Sequence, residues 1–167
     1  MEKGVRETSG SRVLLYCMCA SPATPEFWEE AQSSVRMFRT YPIRLRHKGD
    51  HHAMIRDTSD VMAASQLVTQ DTPLWLVTQA FAQERWVMPT AAELRVEVNL
   101  GWARGIRGLS HFCWHSSWSE KTPNNLQGLA RQPYVPEDAE LYAEAGRLNA
   151  KVQSMSGLLT SLRWIGT

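Results

Sequence analysis

The chain has 167 residues, of which 43% are apolar and 21% charged, and its formal net charge is +1. That is room for one ordinary domain with a real core, and it excludes wholesale disorder. The near-neutral balance with no long basic run excludes a sequence-wide attraction to nucleic acid, and no stretch of about 18 uninterrupted apolar residues marks a membrane span.

Residues 1–11 are polar, contain two glycines and read as a flexible N-terminal segment ahead of a domain at 12–167. They lack the apolar middle of a signal peptide, so a cytoplasmic location is the default expectation. The cysteines are Cys17, Cys19 and Cys113. An odd number with no C-x-x-C pair argues against a disulfide framework or a structural zinc site.

In chain order, the apolar run 12–20 (RVLLYCMCA) suits a strand buried on both faces. Thr24-Pro25 then forms an N-cap and first helical residue, and a short helix runs to about Ser34. Residues 34–45 read as a second strand with Pro42 at its end, because proline cannot donate a ladder hydrogen bond. The polar loop that follows carries the small basic patch Arg44, Arg46, His47 and Lys48, read as a solvated surface. A less regular helix spans 53–69 on Ile55, Val61, Met62, Leu67 and Val68.

Asp71-Thr72-Pro73 breaks it, and 74–81 (LWLVTQAF) is the clearest strand in the chain. Thr90-Ala91-Ala92-Glu93 fits a capping box, and its helix reaches about Arg104, with Gly105 as the stop. The inward stripe of that helix is expected at Leu94, Val98 and Ala103, with Trp102 beside it. Residues 106–114 (IRGLSHFCW) make a fourth strand, in which Gly108 implies a close approach by a neighbour. A long loop covers 116–136. A final amphipathic helix runs over 136–154 on Leu141, Ala145, Leu148, Val152 and Met155, and a short helix over 158–164 closes the chain.

The sum is an α/β chain of four βα units, and strict alternation argues for a parallel sheet with crossover helices. An open, doubly wound sheet is the plain alternative. A nucleotide site of that kind would carry G-x-G-x-x-G or a P-loop, and the first strand is instead followed by Ala20-Ser21-Pro22. No cofactor is implied.

Four stretches resemble the end of glycoside hydrolase (β/α)₈ barrels, β-galactosidase-like ones in particular. Thr40-Tyr41-Pro42-Ile43 resembles the D-x-Y-P end of the sixth strand. Residues 73–81 are similar to the seventh strand. Arg85, then 89–95, then Gly105-Ile106-Arg107-Gly108-Leu109 resemble the seventh helix leading into the eighth strand. Residues 142–162, with Leu148-Asn149 and Leu158-Leu159, resemble the closing helix that precedes an accessory β domain. The resemblance spans roughly Val13 to Leu162 and implies the C-terminal half (strands five to eight) of a TIM barrel. A whole barrel needs about 200–250 residues, so the resemblance implies a partner, in the form of a complementing half-barrel chain or a second copy.

Barrel active sites lie at the C-terminal ends of the strands. Those ends present Cys19, Ser21 and Pro22; Arg39, Tyr41 and Pro42; Gln79, Phe81, Glu84, Arg85 and Trp86; and His111, Trp114, His115 and Trp118. Aromatic faces with amide, guanidinium and imidazole donors suit sugars, which have apolar faces and hydroxyl edges. The expected carbohydrate-binding set is therefore Tyr41, Gln79, Phe81, Arg85, Trp86, His111, Trp114 and Trp118. Each tryptophan has the plainer alternative of loop packing, and Trp75 and Trp102 are assigned to the core.

Glycoside hydrolysis normally takes two carboxyl groups. None stands directly at these four strand ends, and Arg39 occupies the place where the resembled pattern has an aspartate. Glu84 is the catalytic candidate, with Asp50 and Glu120 also in loops on that side. The expectation is hydrolysis of O-glycosidic bonds if the missing half is supplied; the alternative is a non-catalytic carbohydrate-binding or structural remnant. His51-His52 and His111-x-Cys113-x-His115 are the only metal-like patterns, and interior packing is preferred to a metal site.

Overall fold

The computed structural model describes residues 16–19, 34–45, 49–67, 72–117, 125–131, 133, 135–162 and 165, with only the backbone course at 16–19 and 64–67. The expected N-terminal segment 1–11, the helix after Thr24, the basic residues Arg46, His47 and Lys48, and Trp118 and Glu120 lie outside the described residues.

The strands are β1 (Tyr16–Cys19), β2 (Val35–Arg39), β3 (Leu74–Gln79) and β4 (Gly108–Phe112). They form one sheet in the order β1-β2-β3-β4, and every neighbouring pair is parallel. The molecule is thus α/β, with strands that follow one another across the sheet. β2 stops at Arg39, short of the expected reach to residue 45, and Pro42 is buried beyond its end.

Helices α1 (His51–Leu67), α2 (Ala91–Ala103) and α3 (Ala139–Ser154) and the short α4 (Ser156–Ser161) complete the main elements. Their ends are set by local chemistry. Asp50 Oδ1 accepts from Ala53 N at 2.9 Å at the start of α1. Thr90 and Glu93 form the reciprocal capping box of α2. At its C-terminus Gly105 (φ 78°) turns left-handed, Gly105 N donates to Trp102 O and Ile106 N to Gly101 O. That is a Schellman stop, which needs a residue without a Cβ penalty. Asp138 Oδ1 accepts from Leu141 N at 2.9 Å, so α3 begins at Ala139, three residues later than expected.

One apolar cluster joins Phe38, Leu74 and Leu76 of the sheet to Met62 of α1 and to Ile106, and Leu100 of α2 packs on it. A second joins Leu94 and Val98 of α2 to Leu141, Ala145 and Leu148 of α3 and to Ala80 and Leu129, and Leu109 of β4 touches both clusters. α1, α2 and α3 therefore share one face of the sheet. Successive strand residues point to opposite faces, and Val35, Met37 and Val77 form a separate buried cluster on the other side, with Trp75 against it. The Trp75 ring lies across β4 where Gly108 has no side chain; a Cβ there would come within 2.4 Å of the indole.

Some expected stripes are corrected. Ala103 and Ile55 are exposed, and the core faces of their helices run through Ala91, Leu94, Val98 and Gly101 and through Ala53, Met54, Thr58 and Met62. Trp75 and Trp102 are half-buried at the edge of the core. The loop 116–136 contains a small antiparallel pair, β5 (Ala130–Arg131) and β6 (Val135–Pro136). No helix among the described residues is long and apolar enough to cross a membrane.

Candidate functional site

β2, β3 and β4 end side by side, with Gln79 opposite Phe112 in register. The segments leaving them bring four aromatic rings together. Tyr41 meets Phe81 edge-on at 4.9 Å between centroids and stacks on Phe112 at 5.9 Å. Phe81 also contacts Trp86 at 5.7 Å and Phe112 at 5.3 Å. Two guanidinium groups flank the rings: Arg39 Cζ lies 5.6 Å from the Tyr41 centroid and Arg85 Cζ 4.6 Å from that of Trp86. Phe112, at 36% exposure, gives the cluster an open side.

Two polar atoms in this cluster stand out. Trp86 Nε1 is buried without a hydrogen-bond partner among the described residues, and Tyr41 Oη is buried with the Arg39 guanidinium beside it. An unpaired atom such as Trp86 Nε1 is uncommon because its desolvation is uncompensated, about 1–3 kcal/mol. Burial raises the Tyr41 pKa above its ordinary 10, against the pull of the Arg39 cation. The hydroxyl is therefore a neutral donor and acceptor at physiological pH.

Gln79 takes a different part from the one expected. It is fully buried, and its side-chain amide binds backbone. Oε1 accepts from Ile43 N at 2.9 Å, while Nε2 donates to Ile43 O at 2.9 Å and Val87 O at 2.7 Å. It ties the loop after β2 to the loop after β3, and so holds Tyr41 near Trp86 without surface of its own for a ligand. Phe81 is likewise buried and acts as the floor on which Tyr41, Trp86 and Phe112 rest.

Beneath Gln79 lies a residue that the sequence reading missed. Glu97 of α2 is buried, and its carboxyl group accepts from Gln79 N at 3.3 Å. Burial raises its pKa well above the usual carboxylate range, with the Gln79 N–H pulling the other way. The signal was available in part: Glu97 sits three residues after Leu94 and next to Val98, on the inward side of α2.

Glu84 sits at the tip of a two-residue hairpin in which Gln83 and Trp86 exchange backbone bonds of 3.0 and 2.8 Å. It is exposed, with φ 47°, and Arg85 shares the tip. Asp50 is engaged as the cap of α1. His51 is exposed, with Nδ1 3.8 Å from Glu93 Oε1. Among the described residues no three His, Cys, Asp or Glu side chains are placed to hold a metal ion.

His111 and Trp114 are not part of the aromatic cluster. His111 pairs with Thr78, which alternates with the Gln79 position, so it looks toward the helices. Its Nδ1 lies 2.7 Å from Thr78 Oγ1 and its Nε2 3.1 Å from Asn149 Oδ1 on α3. Trp114 leans on Tyr142 of α3, with centroids 5.5 Å apart. Together they line a cleft of about 260 Å³ between the end of β4 and α3. The expected binding set is therefore divided: Tyr41, Gln79, Phe81, Arg85 and Trp86 gather at one place, His111 and Trp114 at another.

The chain matches no protein-family model and no curated protein.

Proposed function

We propose that this chain is the carbohydrate-binding portion of a glycoside hydrolase-like (β/α)₈ barrel, its four parallel strands standing for the barrel's second half. Two features support the architecture. The strands follow in order β1-β2-β3-β4, and α1, α2 and α3 cover one face. A doubly wound sheet reverses strand order at a switch point and carries helices on both faces, whereas a barrel does neither.

The observation that carries the function is the convergence of Tyr41, Trp86 and Phe112 at adjacent strand ends, with Trp86 Nε1 unpaired, Arg39 beside Tyr41 Oη and Arg85 alongside Trp86. Aromatic faces match the C–H faces of a pyranose, and ring hydroxyls supply a partner for Trp86 Nε1 and a further one for Tyr41 Oη. Cleavage needs a pair of carboxyl groups flanking the bond. Glu84, at a hairpin tip beside Arg85, is the residue on this side that a complementing half would have to partner, so the isolated chain binds without turnover.

Calorimetric titration with galacto- and gluco-oligosaccharides tests this. Binding weakened about tenfold by Tyr41→Phe or Trp86→Phe is the expected result. Absence of binding to any of these sugars overturns the reading. Chromogenic glycosides, with Glu84→Gln as control, separate the two roles: turnover by the isolated chain that Glu84→Gln removes would replace binding alone with catalysis.

A further inference from the structure

The cleft between β4 and α3 has its own chemistry and lies on the helix-covered side of the sheet, apart from the Tyr41–Trp86 cluster. Its walls are His111, Trp114, Leu129, Tyr142, Ala145 and Asn149, with no Asp, Glu, Lys or Arg among the described residues of the lining. Trp114 is 49% exposed and meets Tyr142 at an interplanar angle of 54°, so the two rings form an angled wall rather than a closed stack. Leu129 and Ala145 belong to the buried cluster behind it, which makes the floor rigid and apolar.

The polar rim is fixed by a hydrogen-bond chain. Burial lowers the His111 pKa below its ordinary 6.5, only partly offset by the bond to Asn149, so the imidazole is neutral at pH 7. With Asn149 Oδ1 toward the ring, a neutral imidazole accepts from Thr78 Oγ1 at Nδ1, 2.7 Å away, and donates from Nε2–H to Asn149 Oδ1 at 3.1 Å. Asn149 Oδ1 is thereby occupied, and the Asn149 amide nitrogen is left to donate at the mouth of the cleft. The volume of about 260 Å³ falls just below the roughly 300–1,000 Å³ typical of clefts for drug-sized ligands, which suits one small ring and not a chain.

We infer that the His111–Trp114–Tyr142–Asn149 cleft is a second binding site, separate from the strand-end cluster, that takes a single uncharged ring with an apolar face and hydroxyl edge: one pyranose unit. An uncharged lining gives no counter-charge to an acidic or basic ligand, the angled aromatic wall offers a face for the ring, and Asn149 offers a donor to its hydroxyls. The choice of sugar as ligand rests on the carbohydrate reading above; the location and the uncharged character of the ligand do not.

The experiment is a titration of the ¹⁵N-labelled chain with methyl glycosides of glucose and galactose, following the indole N–H signals of Trp114 and Trp86 and the side-chain amide of Asn149. Saturable shifts at Trp114 and Asn149, weakened about tenfold by Trp114→Ala and by Asn149→Ala, are expected. Both residues are exposed, and unchanged backbone spectra of the variants verify folding. Shifts confined to the Trp86 indole overturn the second site while leaving the strand-end site standing. Shifts at neither place overturn it as well, and oligosaccharide titration then decides separately whether the strand-end site survives.

Discussion

Glu144 on α3 receives Arg95 of α2 through two parallel bonds, Nε to Oε1 at 2.7 Å and Nη2 to Oε2 at 2.9 Å. Arg147, one turn on, adds Nε at 2.9 Å and Nη2 at 2.6 Å to the same Oε2. The carboxylate is nearly buried while both guanidinium groups reach solvent, so three charges share one place at the α2–α3 seam. A bidentate pair of this kind is geometrically specific as well as strong.

The first prediction concerns acid. The bonds from Arg95 and Arg147 hold the Glu144 pKa at about 2, against the opposing effect of burial. A carboxyl group whose pKa is lower folded than unfolded stabilises the fold above its unfolded value and loses that contribution as pH falls toward about 2. Glu144→Gln should cost about 2 kcal/mol at pH 7 and make the acid limb of the stability curve shallower. Urea unfolding between pH 7 and pH 3 measures both.

Glu97 predicts the opposite limb. Its raised pKa means that the unfolded chain releases this proton at lower pH than the folded one does. Its contribution is therefore fully present below the unfolded pKa and declines as pH rises toward the folded value. Glu97→Gln keeps an uncharged side chain with an acceptor oxygen for Gln79 N and should flatten the decline. The urea midpoint of the variant should exceed that of the parent at pH 8 and match it near pH 4.

Gln79 is predicted to be structural. Gln79→Leu leaves Ile43 N and Val87 O without their partner, while Ile43 O keeps only its bond from Val87 N, and should destabilise by about 3 kcal/mol in urea unfolding. Sugar affinity, measured under conditions where the variant is folded, should fall only through misplacement of Tyr41 and Trp86. A variant that loses affinity with no loss of stability would show direct ligand contact instead.

Gly108 and Trp75 should be coupled. Gly108→Ala puts a methyl group within 2.4 Å of the indole and should cost about 2 kcal/mol. Combined with Trp75→Leu, the added cost should shrink, giving a coupling energy of about 1 kcal/mol in a double-mutant cycle. Additive costs would mean that the strand, and not the ring, resists the substitution.

Much of the fold was legible because its signals are local. The Thr90–Glu93 box and the Gly105 stop act over three or four residues, and both ends of α2 fall where they indicate. The close approach at Gly108 was legible too, though not that Trp75 makes it. The site was less legible. Listing residues at strand ends collected Tyr41, Phe81 and Trp86 but not Phe112, and gave none of their directions. Gln79 reads as a polar residue on an apolar strand whether its amide faces a ligand or two loops, and only the positions of Ile43 and Val87 decide that. Glu97 shares the inward side of α2 with Leu94 and Val98, but only when α2 is laid on the sheet does it meet Gln79 N at the end of β3.

By itself, then, the sequence determined the α/β class, the two ends of α2 and the concentration of aromatic residues after β2, β3 and β4, because caps, proline, glycine and periodicity act within a turn or a strand. Only the tertiary structure decided which of those residues share a place. His111 and Phe112 are adjacent in the chain, yet pleating sends them to opposite faces. The packing of α1, α2 and α3 on one face alone then puts Phe112 with Tyr41 and Trp86, and His111 with Trp114 and Asn149.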